Sequence, residues 1–265
     1  MKTAVVLSGG GAKGAFQVGC LKHLIEQGFT YDALYGTSVG ALNSAAMAFK
    51  GIEYTENQWL SIKGRGDVLS FNWSTLIGWS KGVYNMKPLR KYLEATINGT
   101  PMAEAIVCKV HLLTGEIVYS RSTTESQQDF IDSVIQSATI PFVMEPTNNY
   151  GDGGMREQTP LRQAIEDGAT KIVAILCNPI ADQADPIAEP KGFLKMVKYG
   201  MRAVDLLEHE VFVTDLDRRT RYDADDSDKK IDITWYAPDK LLIDTLEFEP
   251  AKIRAALKQG YDSVK

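Results

Sequence analysis

Histidine and cysteine are scarce in this chain, with three of each among 265 residues. The cysteines, Cys20, Cys108 and Cys177, lie far apart, each in an apolar stretch and none in a C-x-x-C pair. That spacing excludes the common zinc and paired-thiol motifs, and it reads as reduced, core-filling thiols of an intracellular protein. No apolar run approaches the ~20 residues of a membrane span. The amino terminus has one lysine and about five apolar residues before Ser8, too little for a signal peptide. Secretion by a route that leaves no such mark stays open. Positive charge is short as well. Lys and Arg number 29 against 34 Asp and Glu, a net charge of -5, whereas a nucleic-acid binder needs a basic face to neutralise phosphates. A local patch can differ from that average, so contact with lipid is not excluded. Internal repeats and low-complexity linkers are missing, and one domain over 1–265 is the simplest account.

What is present is an ordinary globular composition, 44% hydrophobic and 24% charged, long enough for a substantial core. It starts with "VVLSGGGAKGAFQVG", residues 5–19. Thr3 to Leu7 is a short, Val-rich strand pattern. Gly9, Gly11 and Gly14 then spell G-x-G-x-x-G, the formal fingerprint of a dinucleotide-binding turn. Phe16, Val18, Leu21, Leu24 and Ile25 recur at helical spacing, and Gly28 closes the run as a C-cap does. Tyr31 to Tyr35 forms a second strand, followed by "GTSVG" and then by the helix former "ALNSAAMAF" with Gly51 as its stop. Strand, glycine turn, helix, strand, tight turn, helix predicts a parallel α/β sheet with sites at the carboxyl ends of its strands.

Farther on, 53–99 carries Trp59, Trp73 and Trp79 and reads as helices and loops over the sheet, "NMKPLRKYLEATI" being one helix. "IVCKVHLLTGEIVYSRS" predicts two strands joined at Thr114-Gly115. "TTESQQDFIDSVIQSAT" predicts a helix with a capping box of Thr124 and Gln127. "TPLRQAIEDGA" predicts a helix with Thr159 as N-cap, Pro160 at its first position and Gly168 as stop. "KIVAILCNP" is a second parallel-type strand. Residues 215–230 are the most polar stretch and read as a solvated loop or helix end. In "GFLKMVKYGMRAVDLL", residues 192–207, Phe193, Met196, Val197, Met201 and Val204 can share a helix face, with Lys191, Lys195, Lys198 and Arg202 beside or opposite it. That pattern fits an anionic membrane surface or an amphipathic core helix. Trp73 and Trp79 fit an acyl pocket or a cap over the sheet.

Gly36-Thr37-Ser38-Val39-Gly40, between a strand and a helix, has the form of a nucleophile elbow. Its glycines let the chain turn sharply, so that the serine hydroxyl stands at the strand tip. The following helix directs its amino end at a developing oxyanion. A glycine-rich turn with an incidental serine has the same spelling. A serine needs a base, and the histidines are poorly placed to supply one. His23 lies in the first helix, His111 in an apolar strand run and His209 in the charged helical stretch "LLEHEVF". A Ser-Asp-His order would have to use His209. "NYGDGGMREQTP" offers another base, Asp152, between glycines and before a helix. A carboxylate there could take the hydroxyl proton directly or through water, although a D-G pair also marks an ordinary turn.

Taken together, Gly9-Gly10-Gly11-Ala12-Lys13-Gly14, Gly36 to Gly40 and Asp152-Gly153-Gly154 resemble the patatin-like phospholipase family. "SATIPFVMEP", Ser137 to Pro146, is similar to that family's S-x-A-x-P stretch. The likeness spans residues 5 to about 165. The chain departs from it after Asp152, where many members have Asn-x-Pro and this one has "MREQTP". Residues 190–265 carry no recognised motif. The resemblance implies a three-layer α/β/α fold with a mostly parallel sheet, and a serine lipid acyl hydrolase without metal or cofactor. Ser38 would be the nucleophile and Asp152 the general base. The loop of Gly9, Gly10, Gly11, Lys13 and Gly14 would be the oxyanion hole, with the amides of Gly10 and Gly11 facing the oxyanion. Such a donor is worth roughly 3–4 kcal/mol of barrier. Lys13 either adds positive charge or anchors the turn. The implied substrate is a phospholipid, a lysophospholipid or another acyl-ester lipid. The implied setting is cytoplasmic, with peripheral membrane contact open and no nucleic acid. Two other readings stand beside it: a Ser-His-Asp esterase using His209, and a catalytically silent lipid-binding member. A dinucleotide site would need an acidic residue at the end of the second strand. Asp32 precedes that strand's core, and the elbow occupies its end. A P-loop is excluded because Gly14, not Ser or Thr, follows Lys13.

Overall fold

In the computed structural model, residues 2–71, 82–180 and 231–264 are described, with separate helical positions between 199 and 214. Trp73, Trp79, residues 215–230 and most of 192–207 lie outside them. Strand β1 (Lys2–Leu7) leads through a 3-10 turn at Gly11–Lys13 into α1 (Gly14–Glu26), β2 (Ala33–Thr37) and α2 (Val39–Ser61). Two short strands, β3 (Ser70–Phe71) and β4 (Gly82–Asn85), precede α3 (Lys87–Thr96). Then come β5 (Glu104–His111), β6 (Ile117–Arg121), α4 (Gln127–Ser137), β7 (Phe142–Met144) and β8 (Tyr150–Asp152). The chain ends with α5 (Leu161–Glu166), β9 (Ala169–Ile175), β10 (Asp232–Tyr236) and α6 (Pro250–Ser263).

The main sheet runs β10-β9-β1-β2-β5-β6, with β8 also on β5. Its first five strands are parallel, and β6 and β8 join antiparallel. Neighbouring residues of a strand face opposite ways, so a sheet covered on both sides needs unbroken apolar strands. In β1, Val5 and Leu7 pack with Phe16, Leu21, Ala41, Ala45, Phe130 and Val134 of α1, α2 and α4. Ala4 and Val6 pack on the other face with Tyr35, Ile106, and Leu161 and Ala164 of α5. The fold is therefore α/β, a mostly parallel central sheet flanked by helices, as the sequence predicts. β3, β4 and β7 form a small second sheet that the sequence reading does not include.

Several boundaries differ from expectation. Gly51 does not stop the helix after Ser38. It breaks it, with φ 77 and ψ -175, and a second helical segment continues to Ser61, carrying Trp59 back toward the protein. The N-cap of α4 is Ser126, whose hydroxyl accepts from the Asp129 amide at 3.2 Å, in place of Thr124. Thr159 stands one residue farther out than an N-cap of α5, which begins after Pro160. Gly28 and Gly168, at φ 81 and φ 86, do end α1 and α5.

Candidate active site

Ser38 stands between β2 and α2 with φ 56 and ψ -122, a conformation that a side chain rarely adopts. The turn is possible because two glycines let backbones meet. A Cβ at Gly36 would lie 2.2 Å from the Gly40 carbonyl oxygen, and one at Gly40 would lie 2.1 Å from that of Leu7. The Ser38 carbonyl accepts from Ala41 and Leu42 and starts the helix. Its own N–H, which has no partner within α2, donates to the Ser137 hydroxyl at 3.0 Å.

Strand register brings Asp152 to the same point. β2 ends with Thr37 opposite Cys108 of β5. β8 runs the other way along the same edge of β5 and ends with Asp152 opposite Lys109. Two strands thus meet tip to tip one rung apart, one carrying Ser38 and the other Asp152. Asn148 and Asn149, with φ 53 and 60, make the turn that feeds β8, asparagine being among the residues that tolerate the left-handed region. Gly153 and Gly154 allow the chain to leave. A Cβ at Gly153 would lie 2.4 Å from the Cys108 carbonyl oxygen, and one at Gly154 2.4 Å from Gln158 Oε1. The Asp152 side chain is 1% exposed, and its Oδ1 accepts from the Gly154 N–H at 2.8 Å. Burial pushes its pKa up to about 7, with the Ser38 hydroxyl and the Gly154 amide pulling in the opposite direction. Among the described residues no group reaches Oδ2 at hydrogen-bonding geometry, and the Ser38 hydroxyl acts on the carboxyl as a near neighbour.

The glycine loop lies beside this pair. The amide of Gly9 is committed to the Gln158 carbonyl at 3.0 Å, that of Ala12 to the Thr245 carbonyl at 2.9 Å and that of Lys13 to Gly10. The amides of Gly10 and Gly11 have no acceptor among the described residues. Gly11 has φ 58, and a Cβ there would lie 2.2 Å from the Thr245 carbonyl oxygen. Gly14 serves helix packing, with Val39 filling the space its Cβ would take. The Lys13 ammonium donates to Asn178 Oδ1 at 2.7 Å, tying the loop to the chain just past β9.

A cavity of about 170 Å³ opens on Ser38 and Gly11. Its walls are mostly apolar and include Trp59, Met86, Leu89, Ile140, Met144 and Phe248. Asn43, also in the wall, accepts from the Trp59 indole N–H at 2.9 Å and donates to Gln17 and to the Gly14 carbonyl, so the Trp59 ring is held in place. Among the described residues that line the cavity there is no histidine. The His23 ring stacks on Tyr261 and donates from Nδ1 to its carbonyl. His111 pairs with Thr114 and meets the Tyr150 ring edge-on. Sequence reasoning assigns no role to Ser137, Asn43, Gln158 or Thr245. Ser137 falls within the S-x-A-x-P stretch, whereas only tertiary contacts single out the other three.

The family model described as patatin-like phospholipase matches residues 5–165. Among curated proteins, lysophospholipase nte1 of Aspergillus terreus is 52% identical over 44 residues, 17% of this chain and 3% of that protein. Patatin-like phospholipase domain-containing protein 7 of Rattus norvegicus is 43% identical over 60 residues, 21% of this chain and 4% of that protein. The chain thus aligns with only a few per cent of the length of these relatives. Among solved structures, VipD from Legionella pneumophila is similar with a TM-score of 0.50 at 15% identity, covering 99% of this chain and 65% of that one. That likeness is one of fold.

Proposed function

The chain belongs to the patatin-like phospholipase family, and from that premise we propose that it is a lipid acyl hydrolase in which Ser38 and Asp152 act as a dyad. Asp152 takes the proton of the Ser38 hydroxyl as Oγ attacks the ester carbonyl. The carbonyl oxygen becomes an oxyanion held by the uncommitted amides of Gly10 and Gly11. When the tetrahedral adduct collapses, the C–O bond to the alcohol breaks, and Asp152 returns the proton to that oxygen. Water, deprotonated in turn by Asp152, then releases the fatty acid from Ser38. The apolar cavity at Ser38 suits an acyl chain, which favours a phospholipid or lysophospholipid. The observation that carries this reading is the tip-to-tip meeting of β2 and β8, which brings a buried carboxylate to a strained serine.

We propose one domain over 1–265, a reading supported by the return of β10 to the sheet and of α6 to α1. No helix among the described residues is long and apolar enough to cross a membrane. We propose a cytoplasmic setting, with peripheral membrane contact to the extent that the proposed substrate is a membrane lipid. The test is labelling with a fluorophosphonate probe. Native protein is expected to be labelled and Ser38→Ala not, and an unlabelled native protein would overturn the hydrolase reading. A His209→Ala variant that folds but loses esterase activity would replace the dyad with a triad.

A further inference from the structure

Ser137, the last residue of α4, is fully buried. Its hydroxyl accepts from the Ser38 N–H at 3.0 Å and donates to the Cys108 carbonyl at 2.5 Å. The β2–β5 ladder ends at Thr37 opposite Cys108, so the hydroxyl links the two strands one residue past their last pair. It stands where β2 must leave the sheet to turn into the elbow. The same Cys108 carbonyl is what the Asp loop packs against, through the missing side chain of Gly153. One hydroxyl therefore touches the backbone of the elbow serine directly and the backbone beside Asp152 through a single carbonyl.

We propose that Ser137 is a positioning residue that holds Ser38 in its strained conformation and sets its distance from Asp152; this rests on the dyad reading above. The physical reason is local. The Ser38 N–H is a buried donor at a helix start, and it sits in a left-handed conformation that persists only if its surroundings enforce it. Without an acceptor on that N–H, the turn can relax and carry Oγ away from the carboxylate. Reacting groups displaced by about 1 Å lose on the order of a hundredfold in rate.

Three variants separate hydrogen bonding from filling space. Cysteine nearly matches serine in size but is a weak donor and acceptor. Ser137→Ala and Ser137→Cys are expected to lower kcat on a soluble ester by about ten- to a hundredfold with KM changed by less than about twofold. Ser137→Thr, which keeps the hydroxyl, is expected to recover most of the rate. If Ser137 only fills space, Ser137→Cys will match the native enzyme, and the proposal falls. A second measurement needs no turnover. In a crystal structure of Ser137→Ala, Ser38 leaving its positive φ supports the proposal, and Ser38 unmoved overturns it. Labelling of the native protein, with Ser38→Ala as control, reports separately on the serine-hydrolase reading, and the activity of His209→Ala reports on whether the pair acts as a dyad.

Discussion

Asp152 answers to two demands that conflict. It must be ionised to take a proton, and it must be buried to be aimed at Ser38. Burial wins against the Ser38 hydroxyl and the Gly154 amide, and its pKa rises from the ordinary 3.8 to about 7. An acid whose pKa is higher in the folded state binds more protons folded than unfolded between those two values. Stability from this group therefore falls as pH rises from about 4 to about 7, and the penalty is complete above that window and absent below it. Two outcomes follow for a pH series. The ratio kcat/KM should climb with pH and level off above about 7, as the base ionises. Asp152→Asn should abolish activity yet melt a few degrees higher than native at pH 8, because the amide keeps an oxygen for the Gly154 N–H and carries no charge. That advantage should vanish toward pH 4. A variant that melts below native at pH 8 would sink the account. The carboxylate was legible in the sequence because glycines flank it. The motif resemblance pairs it with Ser38, but the register along β5 that sets the two strand tips together was not legible, because no local pattern encodes register between distant segments.

Gly51 shows how far a single breaker reaches. The sequence marks it as the end of a helix, and the backbone there does leave the helical region, at φ 77 and ψ -175. What local pattern could not say is that the chain resumes a helix at once, on a new axis that brings Trp59 to the cavity wall and to Asn43. Only tertiary contacts decide whether a chain re-enters a helix after a glycine. A Cβ at Gly51 would meet nothing closer than Met102 Cε at 3.5 Å, so Gly51→Ala has room, and its penalty is conformational. This region of the backbone is nearly exclusive to glycine, at about 1–3 kcal/mol for other residues. Urea denaturation of Gly51→Ala should show a loss of that order. KM for a long-chain ester should rise more than KM for a short one, as the wall carrying Trp59 shifts. Equal changes for both esters would show that Trp59 does not touch the acyl chain. Strands, by contrast, were legible wherever an apolar run was short and bounded by turns, as in β1 and β9. The three-residue β7 and β8 were not, because so few residues carry no periodicity.

At the scale of the molecule, the part of the chain with no motif completes the part that has them. β10 extends the sheet beyond β9. The loop before α6 supplies Thr245, whose carbonyl receives the Ala12 amide and seats against Gly11. α6 then packs along α1, the helix that the glycine loop opens into. The two helices approach at glycines that no motif singled out. A Cβ at Gly19 would lie 2.0 Å from the Leu257 carbonyl oxygen, and one at Gly260 2.0 Å from that of Phe16. Both collisions are with backbone, so no side-chain rotation relieves them. Gly260→Ala must push α6 off α1, as overpacking does elsewhere at a cost of about 1–3 kcal/mol. Since the glycine loop opens into α1 and Thr245 seats against Gly11, the displacement should reach the oxyanion site. The variant is expected to lose stability in urea and also to label more slowly with the fluorophosphonate probe, although Gly260 belongs to no recognised motif. Lys258→Ala on the same helix is the control, because its ion pair with Asp262 is solvent-exposed and such pairs contribute little. If Gly260→Ala labels at the native rate while losing stability, then α6 only braces the fold, and the glycine loop owes its shape to β1, β9 and the Asp loop alone.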